Sequence, residues 1–289
     1  MKTAFLFPGQ GAQTVGMGKE IYEKYPEAKE IYEKAEKITG VKITDICFNG
    51  PEEELMKTEN TQIAILTTSL AILEVLKSKG IEAEITCGLS LGEYCALIYS
   101  GIISFEDGIK LIKKRGYYMG NLIPDEEYEM AAVIGLDSTK IEEICKELRA
   151  SGKFVVPANY NCSSQTVVSG VKDAVEEVIE KLKEAGAKRV IPLKTSGPFH
   201  TEKLIEAKKA YEKELENVTF NLNKNSVKVI KNLDGTYYNS NDDIKEILAE
   251  HIISSVRFDR AIKLMKEENV DEYVEIGPRK NINRICKER

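Results

Sequence analysis

The chain opens on Thr3-Ala4-Phe5-Leu6-Phe7, an apolar run cut off at Pro8-Gly9. A short continuous apolar run bounded by turn residues predicts a buried strand. Beyond the turn Pro8-Gly9-Gln10-Gly11, the residues Ile21, Tyr25, Ala28, Ile31 and Tyr32 share one face and predict a helix. A second amphipathic helix is predicted over 63–77, with Gly80 in the place of a C-cap glycine. Residues 84–87 read as a strand that leads into Gly88-Leu89-Ser90-Leu91-Gly92. The mostly apolar stretch 93–99 reads as a buried helix, and Ser104 starts another helix that carries Arg115.

Between 124 and 196 the period changes. Strand (130–136), helix (139–149), strand (154–159), strand (165–169), helix (174–185) and strand (189–193) follow in turn. That β-α-β-β-α-β order is the ferredoxin-like arrangement, set inside a chain that is α/β on either side. The expected organisation is a discontinuous α/β core over 1–124 and 197–289 with an inserted subdomain over 125–196. The C-terminal part predicts a helix at 201–216, a strand near 227–231, helices near 242–252 and 259–268, a strand at 272–276 and a final helix after Gly277-Pro278.

Composition narrows the possibilities. At 289 residues, with 42% hydrophobic and 30% charged residues, the chain can bury a substantial core. The run Ala4–Phe7 is too short for a signal segment or membrane span, so cytoplasmic residence is the expectation. A formal net charge of −6 argues against nucleic acid as a partner. Six cysteines, with no C-x-x-C pair, point to neither zinc nor a disulfide framework and are expected as reduced thiols in the core.

Chemistry enters at Gly88-x-Ser90-x-Gly92. The spacing fits a nucleophile elbow, a sharp strand-to-helix turn that lifts a serine hydroxyl off the sheet, and it falls between an expected strand and an expected helix. A serine needs a base, and this chain has only two histidines. His200 follows Ser196-Gly197-Pro198-Phe199 in an expected loop, whereas His251 lies in a helical stretch and is less easily set against Ser90. Two nucleotide-binding readings fail on spacing. Thr14 stands at the third glycine position of G-x-G-x-x-G, and Gln13 and Glu20 break the phosphate-loop pattern that ends in Gly18-Lys19.

Pro8-Gly9-Gln10-Gly11-Ala12-Gln13, Gly88 to Tyr94, Lys114-Arg115-Gly116 and Gly197-Pro198-Phe199-His200 together resemble the malonyl-CoA:acyl carrier protein transacylase family. Thr61-Gln62, Asn159-Tyr160-Asn161, Gln165-x-Val167-x-Ser169-Gly170 and Glu275-Ile276-Gly277-Pro278 extend the match along the whole chain. The resemblance implies an α/β hydrolase-like core with a ferredoxin-like insert. It implies malonyl-CoA and an acidic acyl carrier protein as partners, a monomer, and no cofactor or metal. Ser90 would be acylated, His200 would be base and then acid, and Arg115 would hold the malonyl carboxylate by a bidentate pair. The amides of Gln10 and Leu91 would form the oxyanion hole, Gln62, Asn161 and Phe199 would bind substrate, and the His251 carbonyl would orient His200. Three departures stand out. Leu89 replaces a usual histidine, His251 a usual glutamine, and Arg279 a common glycine.

Two other functions share parts of this pattern. A serine hydrolase would use Ser90 and His200 but needs no buried cation, so Arg115 discriminates. A carrier-protein docking module would need neither residue intact. Lys188, Arg189, Lys194 and Lys203 flank the His200 loop in sequence and are the expected basic contacts for a carrier protein.

Overall fold

The computed structural model describes residues 1–194, 197–222, 227–280 and 282. Among them are nine strands: β1 (Thr3–Phe7), β2 (Ile85–Gly88), β3 (Tyr128–Ile134), β4 (Val155–Cys162), β5 (Gln165–Val171), β6 (Arg189–Pro192), β7 (Lys228–Val229), β8 (Val256–Arg257) and β9 (Glu272–Glu275). Of the helix expected after Gly277-Pro278, Arg279 and Lys280 are not helical, and residues 281 and 283–289 lie outside the described set.

Side chains of β1 alternate between two apolar clusters, Phe5 and Phe7 in one and Ala4 and Leu6 in the other. A strand that is apolar on both faces must be covered on both, which places it inside a parallel sheet. β1 lies between β2 and β9, with β7 beyond β2, and all these pairings are parallel. Helices Thr58–Ser78, Gly92–Tyr99 and Phe105–Asn121 pack on the Phe5 and Phe7 side. Helix Phe258–Glu267 supplies Phe258, Ala261 and Met265 to the other.

Pro26 corrects the first helix. It has no N–H and disfavours helical backbone at the residue before it, so Tyr25 is extended and the stretch divides into Lys19–Lys24 and Pro26–Thr39. Two short helices, Ile43–Asn49 and Glu52–Met56, were not foreseen. Helix Thr58–Ser78 starts five residues before the expected 63. It is long and apolar enough to cross a membrane by length and composition, yet 72% of its apolar window is buried inside this protein.

The second sheet has the order β6-β3-β5-β4-β8. β3, β4, β5 and β6 pair antiparallel, and helices Ser138–Ala150 and Lys172–Glu184 cover one face. Ala131 and Val133 point to those helices, while Met130 and Ala132, one residue out of phase, point to the main core. β8 comes from far down the chain and adds parallel to β4 through Asn159–Val256 and Tyr160–Arg257. Two residues are too few for a periodic signal, so nothing in the sequence announced it. The five described cysteines are buried.

Candidate active site

Strand β2 ends at Gly88 and helix Gly92–Tyr99 begins four residues later. A Cβ on Gly88 would stand 2.0 Å from the Gly92 carbonyl carbon, and one on Gly92 would stand 2.3 Å from the Phe7 oxygen. Only glycine fits at either position, and the turn between them holds Ser90 at φ 54, a left-handed conformation that costs a non-glycine residue about 1–2 kcal/mol. Asn232 clamps it. Its Oδ1 accepts the Ser90 amide at 2.7 Å and its Nδ2 donates to the Gly88 carbonyl at 2.5 Å.

His200 is also held at positive φ, at 59°, in the loop before the turn Glu202–Leu204. Its Nε2 lies 2.8 Å from Ser90 Oγ and its Nδ1 lies 2.9 Å from the His251 carbonyl oxygen. A carbonyl can only accept, so Nδ1 carries the proton and Nε2 is free to take one from Ser90. Burial and then the nearby Arg115 guanidinium hold this imidazole at about 3, against the raising effect of its backbone hydrogen bonds. It is therefore neutral and able to act as a base throughout the physiological range. His251 closes the helix Ile244–Glu250, and its ring stacks on that of His200 with centroids 4.9 Å apart.

Arg115 is fully buried on helix Phe105–Asn121. Nη1 donates to Gln62 Oε1 at 2.8 Å, Nη2 donates to Ser90 Oγ at 3.2 Å, and the guanidinium lies over the Tyr94 ring. Among the described residues no carboxylate stands within ion-pair distance of it, and its Nε has no acceptor. A buried cation without an anion is costly, and an anionic ligand would relieve that cost.

Ser90, His200, Gln10, Leu91, Gln62, Asn161 and Phe199 line one cavity of about 490 Å³ between the two sheets. Arg115 and His251 touch its reactive groups from behind. Among the described residues no acceptor takes the Gln10 or Leu91 amide, and the second lies where a helix N-terminus favours negative charge. Asn161 Nδ2 donates to Gln165 Oε1 at 2.8 Å. Leu89 forms an apolar part of the wall, and Arg279 is exposed on the surface, where nothing explains its replacement of glycine.

The basic residues separate. Lys194 lines the cavity, Lys203 is paired with Glu126 at 2.8 Å, and Lys188 and Arg189 lie at the other end of β6. Sequence reasoning missed Asn232, although Ile230-Lys231-Asn232 directly follows a strand beside β2, where loops of parallel sheets collect functional groups. It also missed Glu93, whose Oε1 accepts from Tyr238 at 2.7 Å and from the Asn232 amide at 3.3 Å.

The chain is similar to known proteins over nearly its whole length. The sequence profile of the family described as acyl transferase domain matches residues 4–288. The malonyl CoA-acyl carrier protein transacylase of Bacillus subtilis is 41% identical over 286 residues, covering 99% of this chain and 90% of that protein. A crystal structure of malonyl CoA-acyl carrier protein transacylase from Clostridium perfringens superposes with a TM-score of 0.93 at 42% identity, covering 99% of this chain and 90% of that one. A malonyl-transacylase in complex with a type II PKS acyl-carrier protein superposes with a TM-score of 0.93 at 34% identity, covering 99% and 92%. The chain belongs to the acyl transferase domain family and, within it, to the malonyl CoA-acyl carrier protein transacylases.

Proposed function

We propose that this chain transfers malonyl from malonyl-CoA to the phosphopantetheine thiol of an acyl carrier protein through a malonyl-Ser90 intermediate. His200 Nε2 takes the Ser90 proton as Oγ bonds to the thioester carbon, and the resulting imidazolium returns it to the departing CoA sulfur. The amides of Gln10 and Leu91 receive the oxyanion, a contact worth about 10²- to 10³-fold in rate. In the second half the carrier thiol enters, His200 takes its proton, and Ser90 leaves with that proton restored. No cofactor is required by this sequence of steps.

The observation that carries the reading is Arg115, a buried guanidinium with no ion-pair partner among the described residues and one arm on the nucleophile. A malonyl group on Ser90 brings a carboxylate to that arm. Pairing would also remove part of what holds His200 low, so the anionic acyl group strengthens its own base. We read the fold as an α/β hydrolase-like core over 1–124 and 197–289 carrying a ferredoxin-like insert over 125–196, with the cavity between them. Lys194 is the basic residue best placed to meet an acidic carrier protein, and a cytoplasmic monomer is the working state.

The test is to supply malonyl-CoA with a holo carrier protein and follow both products. Transfer to the carrier well in excess of free malonate supports the reading. Release to water at the same rate with or without carrier makes the chain a hydrolase.

A further inference from the structure

Glu93 is a carboxylate that the steps above leave unused. It follows the elbow on the first turn of helix Gly92–Tyr99 and is 1% exposed. Oε1 is satisfied by Tyr238 and Asn232, but among the described residues Oε2 takes no hydrogen bond, and it faces the His251 ring, whose Nδ1 is 3.3 Å away. Among the described residues neither His251 nitrogen has a hydrogen-bond partner, although the ring is also 1% exposed. That ring is stacked on His200 with planes 29° apart. The line Ser90, His200, His251, Glu93 is therefore continuous.

In this line the partner of His200 Nδ1 is a carbonyl, a dipole without net charge. The imidazolium formed during acylation has the Arg115 cation on one side, which opposes it. Behind His251 stands Glu93, and in a low-dielectric interior an anion acts over more than one contact.

We propose that Glu93 is a positioning residue of the acyl-transfer site: its carboxylate fixes the His251 ring and, through the stack, stabilises the His200 imidazolium. The proposal rests on the reading of Ser90 and His200 as nucleophile and base. No proton passes to Glu93 in the step, since the Ser90 proton goes to His200 and from there to the leaving group.

Glu93 is faced by Tyr238 and the Asn232 amide, which donate to it, by Arg115, which favours its anion, and by Asp234, which opposes it. Buried Tyr94 and Cys87 are close enough to feel its charge. Burial pushes its carboxyl up to about 7, the largest of these effects, so it changes charge near neutral pH while His200 stays neutral. The acidic limb of Ser90 reactivity then reports Glu93.

The experiment is the rate of Ser90 labelling by a fluorophosphonate across about pH 5 to 9 on the full chain, which needs neither thioester nor carrier protein. Wild type should show an acidic limb near neutrality. Glu93→Gln should label roughly 10-fold slower at high pH, with no such limb, and match wild type at low pH. His251→Phe keeps the carbonyl and the stack but removes the ring nitrogen beside Glu93, so its limb should move to higher pH. Glu93→Gln with the wild-type limb intact overturns the proposal, and so does an unmoved limb in His251→Phe if the first variant does not fold. Failure of wild type to label at Ser90 defeats the nucleophile reading instead.

Discussion

Arg115 reaches the hydroxyl of Ser90, the proposed nucleophile: Nη2 donates to Ser90 Oγ at 3.2 Å while Gln62 holds Nη1 at 2.8 Å. The guanidinium is thus fixed where an acyl group on Ser90 begins. Malonyl differs from acetyl by a carboxylate, which is costly to bury unless a cation meets it. Arg115→Ala should lower malonyl loading by roughly 10²-fold or more, as expected for a lost buried charge pair of about 3 kcal/mol, and acetyl loading much less. Arg115→Lys should also be damaging, because one ammonium cannot reproduce the fork. Competition between malonyl-CoA and acetyl-CoA for Ser90 measures this, and an unchanged ratio in Arg115→Ala refutes the assignment.

The two histidines should differ sharply on substitution. His200→Ala removes the proposed base and should slow acylation by several orders of magnitude, whereas His251→Phe retains the carbonyl beside His200 Nδ1 and should cost no more than about 10-fold. Single-turnover loading of Ser90 separates the two. Comparable losses would mean that the His251 ring, not its backbone, holds the base.

Asn232 satisfies the Ser90 amide and the Gly88 carbonyl with one side chain. Asn232→Ala leaves both groups unpaired in a buried turn that is already strained at Ser90, which should cost roughly 2–4 kcal/mol of stability. Acylation should slow as well, with the KM for malonyl-CoA little changed. Urea unfolding alongside loading kinetics tests both halves, and a variant as stable and as fast as wild type contradicts the clamp.

Acid stability follows from the buried groups. His200 is lowered from 6.5 to about 3, so the unfolded chain takes up its proton first, and this contribution is present above pH 6.5 and lost as pH falls to about 3. His251 is lowered in the same direction. Glu93 is raised from 4.5 to about 7, and its contribution is present below 4.5 and lost as pH rises to about 7. The effects of His200 and Glu93 oppose each other between 4.5 and 6.5, and below 4.5 the histidines act together with carboxylates that the fold holds low, such as Glu214 and Glu250. His200→Gln should therefore flatten the fall in stability most clearly below pH 4.5, measured by urea unfolding against pH. An unchanged slope there would show that His200 is not held neutral by the fold.

Much of this was legible in the sequence because local chemistry and fold agree. The elbow needs Gly88 and Gly92 for close approach, and those glycines are visible as a spacing. Arg115 was legible only through the family pattern, since Lys113-Lys114-Arg115 alone reads as a solvated helix face. Contacts made between distant segments were not legible. Asn232 lies 142 residues from the amide it holds, Glu93 needs Tyr238 and His251 to become a site, and β8 is too short to leave a period. The helix break at Pro26 was readable from the proline rule and was overridden by the apolar spacing across it.

The central claim is that Ser90 carries the malonyl group. Brief exposure to malonyl-CoA, followed by proteolysis and mass spectrometry, should find malonyl on the peptide containing Ser90. Adding holo carrier protein should discharge it, and Ser90→Ala should carry none. Malonyl on any other residue, or an undiminished adduct in Ser90→Ala, would contradict the account.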